Sequence, residues 1–135
     1  MKNLEKKVGI LYNWYAVNDP RGLAPKGWRI PTVNDFSVLS NFLGGEQTAG
    51  RKLKSKQDWF RNGHGDNTSG FNAIGGGSRD LEGYFYYIVR VGFWWTKDEL
   101  DDQNAWYYYI EFLDDALKHY GAGKPMGMSV RCIRE

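Results

Sequence analysis

Gly92-Phe93-Trp94-Trp95-Thr96 and, after an acidic interval, Ala105-Trp106-Tyr107-Tyr108-Tyr109-Ile110-Glu111-Phe112-Leu113 are dense in aromatic and β-branched residues and predict two strands. Gly83–Gly92 (GYFYYIVRVG), Ala116–Tyr120 and Met128–Arg134 share that character, so the last third of the chain reads as an antiparallel sheet. Alternation along Met128–Arg134 sets Val130 and Cys132 on one face and Ser129, Arg131 and Ile133 on the other. Consecutive tyrosines such as Tyr107, Tyr108 and Tyr109 cannot all point inward, so some of them must reach solvent.

Upstream the pattern changes. Val33, Phe36, Leu39, Phe42 and Leu43 recur at helical spacing behind Thr32, with Asp35 three residues on as a capping box and Gly44-Gly45 as the stop. A second short helix is expected over Glu46–Ser55, with Ala49 and Leu53 inward. Val8–Val17 reads as a first strand, and Leu23–Pro31 as a short extended piece between prolines. Between Lys56 and Asp80 no period survives, and Trp59 and Phe71 are expected to anchor a long loop region. Helices first and antiparallel strands last make an α+β fold, read as one domain over residues 1–135. Trp14, Trp28, Trp94, Trp106 and Phe71 are the expected core, and Arg131 is expected partly buried and hydrogen-bonded to carboxylate or backbone oxygens.

The net charge of +2 lacks the strongly basic balance of a dedicated nucleic-acid binder. No apolar run approaches the ~18 residues of a membrane span, and Met1–Lys7 lacks the apolar stretch of an export signal. Six tryptophans, nine tyrosines and seven phenylalanines beside 17 glycines point to a loop-rich fold pinned by large rings.

Catalytic constellations are missing. His64 and His119 stand far apart with no metal-binding spacing, and Gly75-Gly76-Gly77 lacks the Gly-Lys-Ser/Thr of a phosphate loop. The single cysteine, Cys132, falls inside an apolar strand, where a thiol is packing rather than a nucleophile. Asp98-Glu99-Leu100-Asp101-Asp102 reads as a solvated acidic loop without a cofactor; the alternative is a Ca²⁺ site using Asp98, Asp101 or Asp102, although the spacing is not that of an EF-hand.

Tyr12–Val17 (YNWYAV), Leu23–Thr32 (LAPKGWRIPT), Leu43-Gly44-Gly45, Ala49–Lys54 (AGRKLK), Ser69-Gly70-Phe71, Gly76–Arg79 (GGSR), Gly92–Thr96 (GFWWT), Ala105-Trp106-Tyr107 and Ser129–Arg134 (SVRCIR) occur in order and at plausible spacing. As a set they resemble the Fibrobacter succinogenes major paralogous domain over about residues 8–135. The resemblance implies a C-type-lectin-like fold of the formylglycine-generating-enzyme type. It also implies a bacterial cell-surface or secreted location, often in lipoproteins, and a display or binding scaffold with no established enzymatic activity. Some relatives of this kind are diversified by retroelements at late surface positions while Trp-Trp and Ser-Val-Arg-Cys segments stay fixed. This chain keeps those segments, but lacks the Asn-rich character common in the last variable stretch. The sugar-binding motifs of Ca²⁺-dependent lectins, Glu-Pro-Asn, Gln-Pro-Asp and Trp-Asn-Asp, are absent.

The function expected is therefore non-catalytic binding of a protein or glycan, with a purely structural envelope or adhesin spacer as the alternative. Tyr and Arg give large contact area at modest entropy cost. The candidate ligand-binding residues are Tyr84, Tyr86, Arg90, Tyr108, His119 and Tyr120, with Asp114 on the rim, all expected on one face.

Overall fold

Alternation along a single central strand organises the molecule. The computed structural model describes residues 8–135. In chain order the elements are α1 (Trp14–Val17), β1 (Trp28–Arg29), α2 (Val33–Phe42), α3 (Glu46–Leu53), a 3₁₀ turn (Phe60–Asn62), β2 (Ser78–Arg79), β3 (Phe85–Tyr86), β4 (Val91–Glu99), β5 (Asn104–Glu111), β6 (Lys118–Gly123) and β7 (Ile133–Arg134). The architecture is α+β. The main sheet is β4-β5-β6, and β1-β7 and β2-β3 form two-stranded pairs; all are antiparallel.

The main sheet is buried on both faces over part of its area. Trp94, Tyr108 and Ile110 turn toward α2 and α3 and join Phe36, Leu43, Ala49 and Leu53 in one core. Trp95 and Ala105 turn the opposite way and join Trp14, Val17, Ile30 and Met128 in a second. The two consecutive tryptophans thus serve different cores because side chains alternate across a strand. Each indole of the second core finds a carbonyl: Trp14 Nε1 donates to Thr96 O at 2.9 Å and Trp95 Nε1 to Tyr12 O at 2.8 Å.

The helices follow their sequence signals closely. Thr32 caps α2, its hydroxyl accepting from Asp35 N while the Asp35 carboxylate accepts from Thr32 N. Asp35 also holds Arg29 through two hydrogen bonds, and its pKa lies well below the usual carboxylate range because of Arg29 first and Thr32 second. Ala49 and Leu53 are fully buried on α3, as expected.

Several local expectations fail for identifiable reasons. Val8–Val17 is not a strand: Asn13 caps the single-turn helix α1, and Tyr12 makes only a bridge to Met128. Among the described residues three α-helices therefore stand where two were expected. Phe42 is 86% exposed; it lies about 120° around the helix from Phe36, and Ser40 takes the inward place. Gly83–Gly92 is broken: Tyr87 and Val89 adopt positive φ (64° and 60°) in a turn between β3 and β4. Met128–Arg134 is a strand only at β7, preceded by bridges to Tyr12 and Trp94.

Of the five expected core rings, Trp14 and Trp94 are buried, Trp106 and Phe71 are half-buried, and Trp28 is exposed on β1, paired only with β7. Trp59 does anchor the long loop, with its indole donating to Ala73 O and Ser55 Oγ. Arg131 is exposed rather than partly buried, yet it donates to a backbone oxygen, Phe71 O, at 2.9 Å. Val130 and Cys132 pack together against the second core, as their alternation requires.

Candidate ligand-binding face

Ile110 and Tyr108 of β5 point into the first core, so Tyr107 and Tyr109 must project from the other side of the sheet. Opposite them in register lie Trp95 and Phe93 of β4, and Tyr120 and Lys118 of β6. Phe93 stacks on Tyr109 with centroids 6.2 Å apart and meets Tyr107 edge-on at 5.7 Å. Tyr87 reaches Phe93 at 6.2 Å, and Tyr86 reaches Tyr87 at 6.1 Å. A continuous run of rings therefore leads from the β2-β3 hairpin across the sheet to Tyr107 and Tyr109; Tyr120, the register partner of Tyr107 on the edge strand, is 67% exposed beside it.

The polar groups around this run are already organised. Lys118 sits over the Tyr109 ring and donates to Glu111 and Asp114 at 2.6 and 2.5 Å. Desolvation opposes its charge, but the two carboxylates win and hold its pKa above that of an ordinary lysine. Burial raises the pKa of Tyr107, with Tyr109, Tyr120 and Glu111 adding to the effect. Asp80 raises that of Tyr86.

The turn carrying Tyr87 is held against its own preference. A positive φ at β-branched Val89 is disfavoured. Three backbone hydrogen bonds fix it there: Phe60 N to Val89 O, Val89 N to Gly75 O, and Gly77 N to Val91 O. Gly77 itself has φ 67°, and a Cβ at that position would run into Tyr86 O.

The sequence-derived candidates divide among five places. Tyr86 belongs to the ring run, and Tyr120 lies beside it as the register partner of Tyr107. Tyr84 is exposed on the same hairpin as Tyr86 but touches none of the rings of the run. Asp114 and His119 line a polar cleft of about 420 Å³ with Glu46 and Lys118. Arg90 is exposed elsewhere, its guanidinium 4.2 Å over Phe60. Tyr108 has no accessible surface to offer: it is 1% exposed, stacked on Phe36, with His119 against it at 5.1 Å. Tyr108 and His119 share the face opposite the ring run, so the seven residues do not form one patch. Reading β5 outward from Ile110, an evident core residue, separates Tyr108 from Tyr107 and Tyr109 by parity alone. Phe93 and Lys118 became identifiable only through cross-strand register.

Three of the four carboxylates of the acidic segment are committed to internal contacts, while Asp102 is exposed and only its backbone oxygen accepts, from Lys124. Asp98 accepts from Val33 N at 2.6 Å at the start of α2. Asp101 accepts from the backbone of Gln103 and Asn104 and from the Asn104 amide, closing the β4-β5 hairpin. Glu99 pairs with Lys124. Asp98 and Glu99 are thus part of β4 rather than of a solvated loop.

Among the described residues no helix is long and apolar enough to cross a membrane. Neither a curated protein nor a solved structure shows significant similarity to this chain. The family model of the Fibrobacter succinogenes major domain matches residues 1–134, and the chain belongs to that family.

Proposed function

We propose that this is a non-catalytic binding domain on a C-type-lectin-like scaffold, displayed at the bacterial cell surface or secreted, that meets a protein or glycan with the ring run that starts at Tyr86 and with the adjoining Tyr120. The observation that carries this reading is the continuity of the rings, which run from the exposed Tyr86 and Tyr87 to Phe93, Tyr107 and Tyr109, with Phe93 and Tyr107 seated on the edge of the second core. Rigid tyrosines on strands supply contact area with little ordering cost. The strained Tyr87–Val89 turn adds support, because backbone strain persists where function demands a particular placement. Cys132, half-buried and with its pKa raised by desolvation, is unsuited to nucleophilic or redox chemistry. Retroelement diversification fits this reading through the exposed Tyr84, Tyr86 and Tyr87. Sequencing the locus for a reverse transcriptase and a near-copy of the 3′ coding region tests it.

The function is tested with a glycan array and a pull-down against surface proteins, using the wild type and the double variant Tyr86→Ala/Tyr120→Ala. Capture by the wild type and its loss in the variant, with Tm within a few degrees, is the expected result. Capture that survives the double change moves the site elsewhere. Absence of any capture favours the spacer role.

A further inference from the structure

A second candidate lies on the opposite side of the molecule from the rings, where β1, α2 and β7 leave a cleft of about 360 Å³. Its lining is mostly carbon, with Trp28, Leu39, Phe71 and Ile133 among the walls and two charged side chains, Asp35 and Arg131, at the margin. Trp28 and Ile133 remain exposed although both are large and apolar. That volume lies within the range of small-molecule sites and accommodates a single ring or short chain.

The two charges are not equivalent. Asp35 is neutralised by the paired hydrogen bonds from Arg29 and by the Thr32 cap. Arg131 has no carboxylate partner among the described residues; it makes one hydrogen bond, from Nη1 to Phe71 O, and rests 4.5 Å over the Phe71 ring. A guanidinium carries five N–H donors, so most of this one's hydrogen-bonding capacity is unused by the protein. Arg131 is thus the charged side chain of the lining that has no oppositely charged side-chain partner, and it stands beside an apolar wall.

We propose that this cleft binds a small organic monocarboxylate with an aromatic or branched apolar body, its carboxylate on Arg131 and its body between Trp28, Leu39 and Ile133. A bidentate Arg–carboxylate pair satisfies the free donors in the geometry the guanidinium prefers. A monoanion matches the single unpaired guanidinium of the lining.

The test is a titration of the ¹⁵N-labelled protein with 3-phenylpropionate, followed by NMR, with 3-phenylpropionamide and acetate as controls. Saturable shifts at the Trp28 indole and at the amides of Leu39, Phe71 and Ile133 are expected for 3-phenylpropionate, with at least ~10-fold weaker binding for both controls. Arg131→Gln should weaken binding ~10-fold or more, and Arg131→Lys less. Trp28→Ala, at an exposed position outside both cores, should also weaken it and keep the folded spectrum. Equal binding of acid and amide overturns the assignment of charge to Arg131. Shifts that do not saturate, or that map to Tyr86–Tyr120, overturn the cleft.

Discussion

Phe36 of α2 and Tyr108 of β5 lie ring on ring, with centroids 4.5 Å apart and planes 16° from parallel. This contact ties the helical layer to the middle of the main sheet. Tyr108→Ala should therefore cost ~3–5 kcal/mol, the range for emptying an aromatic core site. Tyr120→Ala, one strand away but 67% exposed, should stay within about 0.5 kcal/mol. Urea denaturation of the two variants compares them directly, and similar losses for both would refute the division of the two faces.

Asp35 makes stability depend on acid pH. Folding lowers its pKa, so the unfolded chain takes up the proton first. Its contribution is complete above the ordinary carboxylate pKa of about 4 and fades as pH falls further toward the folded-state value. Asp35→Asn should cost about 1–2 kcal/mol at pH 7 through the weakened cap and lost pairing. The gap between variant and wild type should shrink on going to pH 2.5. Melting curves at pH 7, 4 and 2.5 measure it; a gap that stays constant would show that Asp35 acts by shape alone.

Gly77→Ala should disturb the ring run without touching any ring. The added Cβ meets Tyr86 O, and the positive φ of 67° is itself unfavourable for alanine. A loss of about 1–3 kcal/mol is expected, with amide shifts concentrated at residues 86–91. Uniform small shifts through the protein would argue that the turn relaxes freely.

Calcium should leave the protein unchanged. Asp98 and Asp101 accept hydrogen bonds from backbone and side-chain N–H groups. Turning them toward a cation would sacrifice the start of α2 and the β4-β5 turn. Equal Tm in millimolar Ca²⁺ and in chelator is the expected result, and a chelator-sensitive Tm restored by Ca²⁺ would overturn this. Asp98→Ala should lower Tm in both conditions alike.

Legibility in the sequence follows from how local each determinant is. Thr32 with Asp35, and Ala49 with Leu53, declare themselves within one or two helical turns. Their helices appear within a few residues of where they were expected. The strands β4 and β5 were legible from composition. The Tyr87–Val89 turn was not, because β-branched and aromatic residues there are forced out of β geometry by hydrogen bonds to Gly75 and Phe60, far off in sequence. For the candidate site, Tyr86 and Tyr120 were readable as outward. Phe93 and Lys118 emerge only from strand register, which no single segment encodes. The exposure of Trp28 reflects its place on a two-residue strand, a tertiary outcome that no hydrophobic pattern reveals.

Because β5 supplies core side chains and displayed side chains from alternate positions of one backbone, its length is locked while its outward identities are not. Inserting or removing one residue would drive Tyr107 and Tyr109 into the space filled by Trp94 and Phe36, and expel Tyr108 and Ile110 into water. Descendants of this protein should accordingly differ at residues 107, 109, 118 and 120 by replacement, with gaps confined to the hairpins. A library built on that rule leaves the first core whole in every member, and it touches the second only through residue 107, which packs against Trp95.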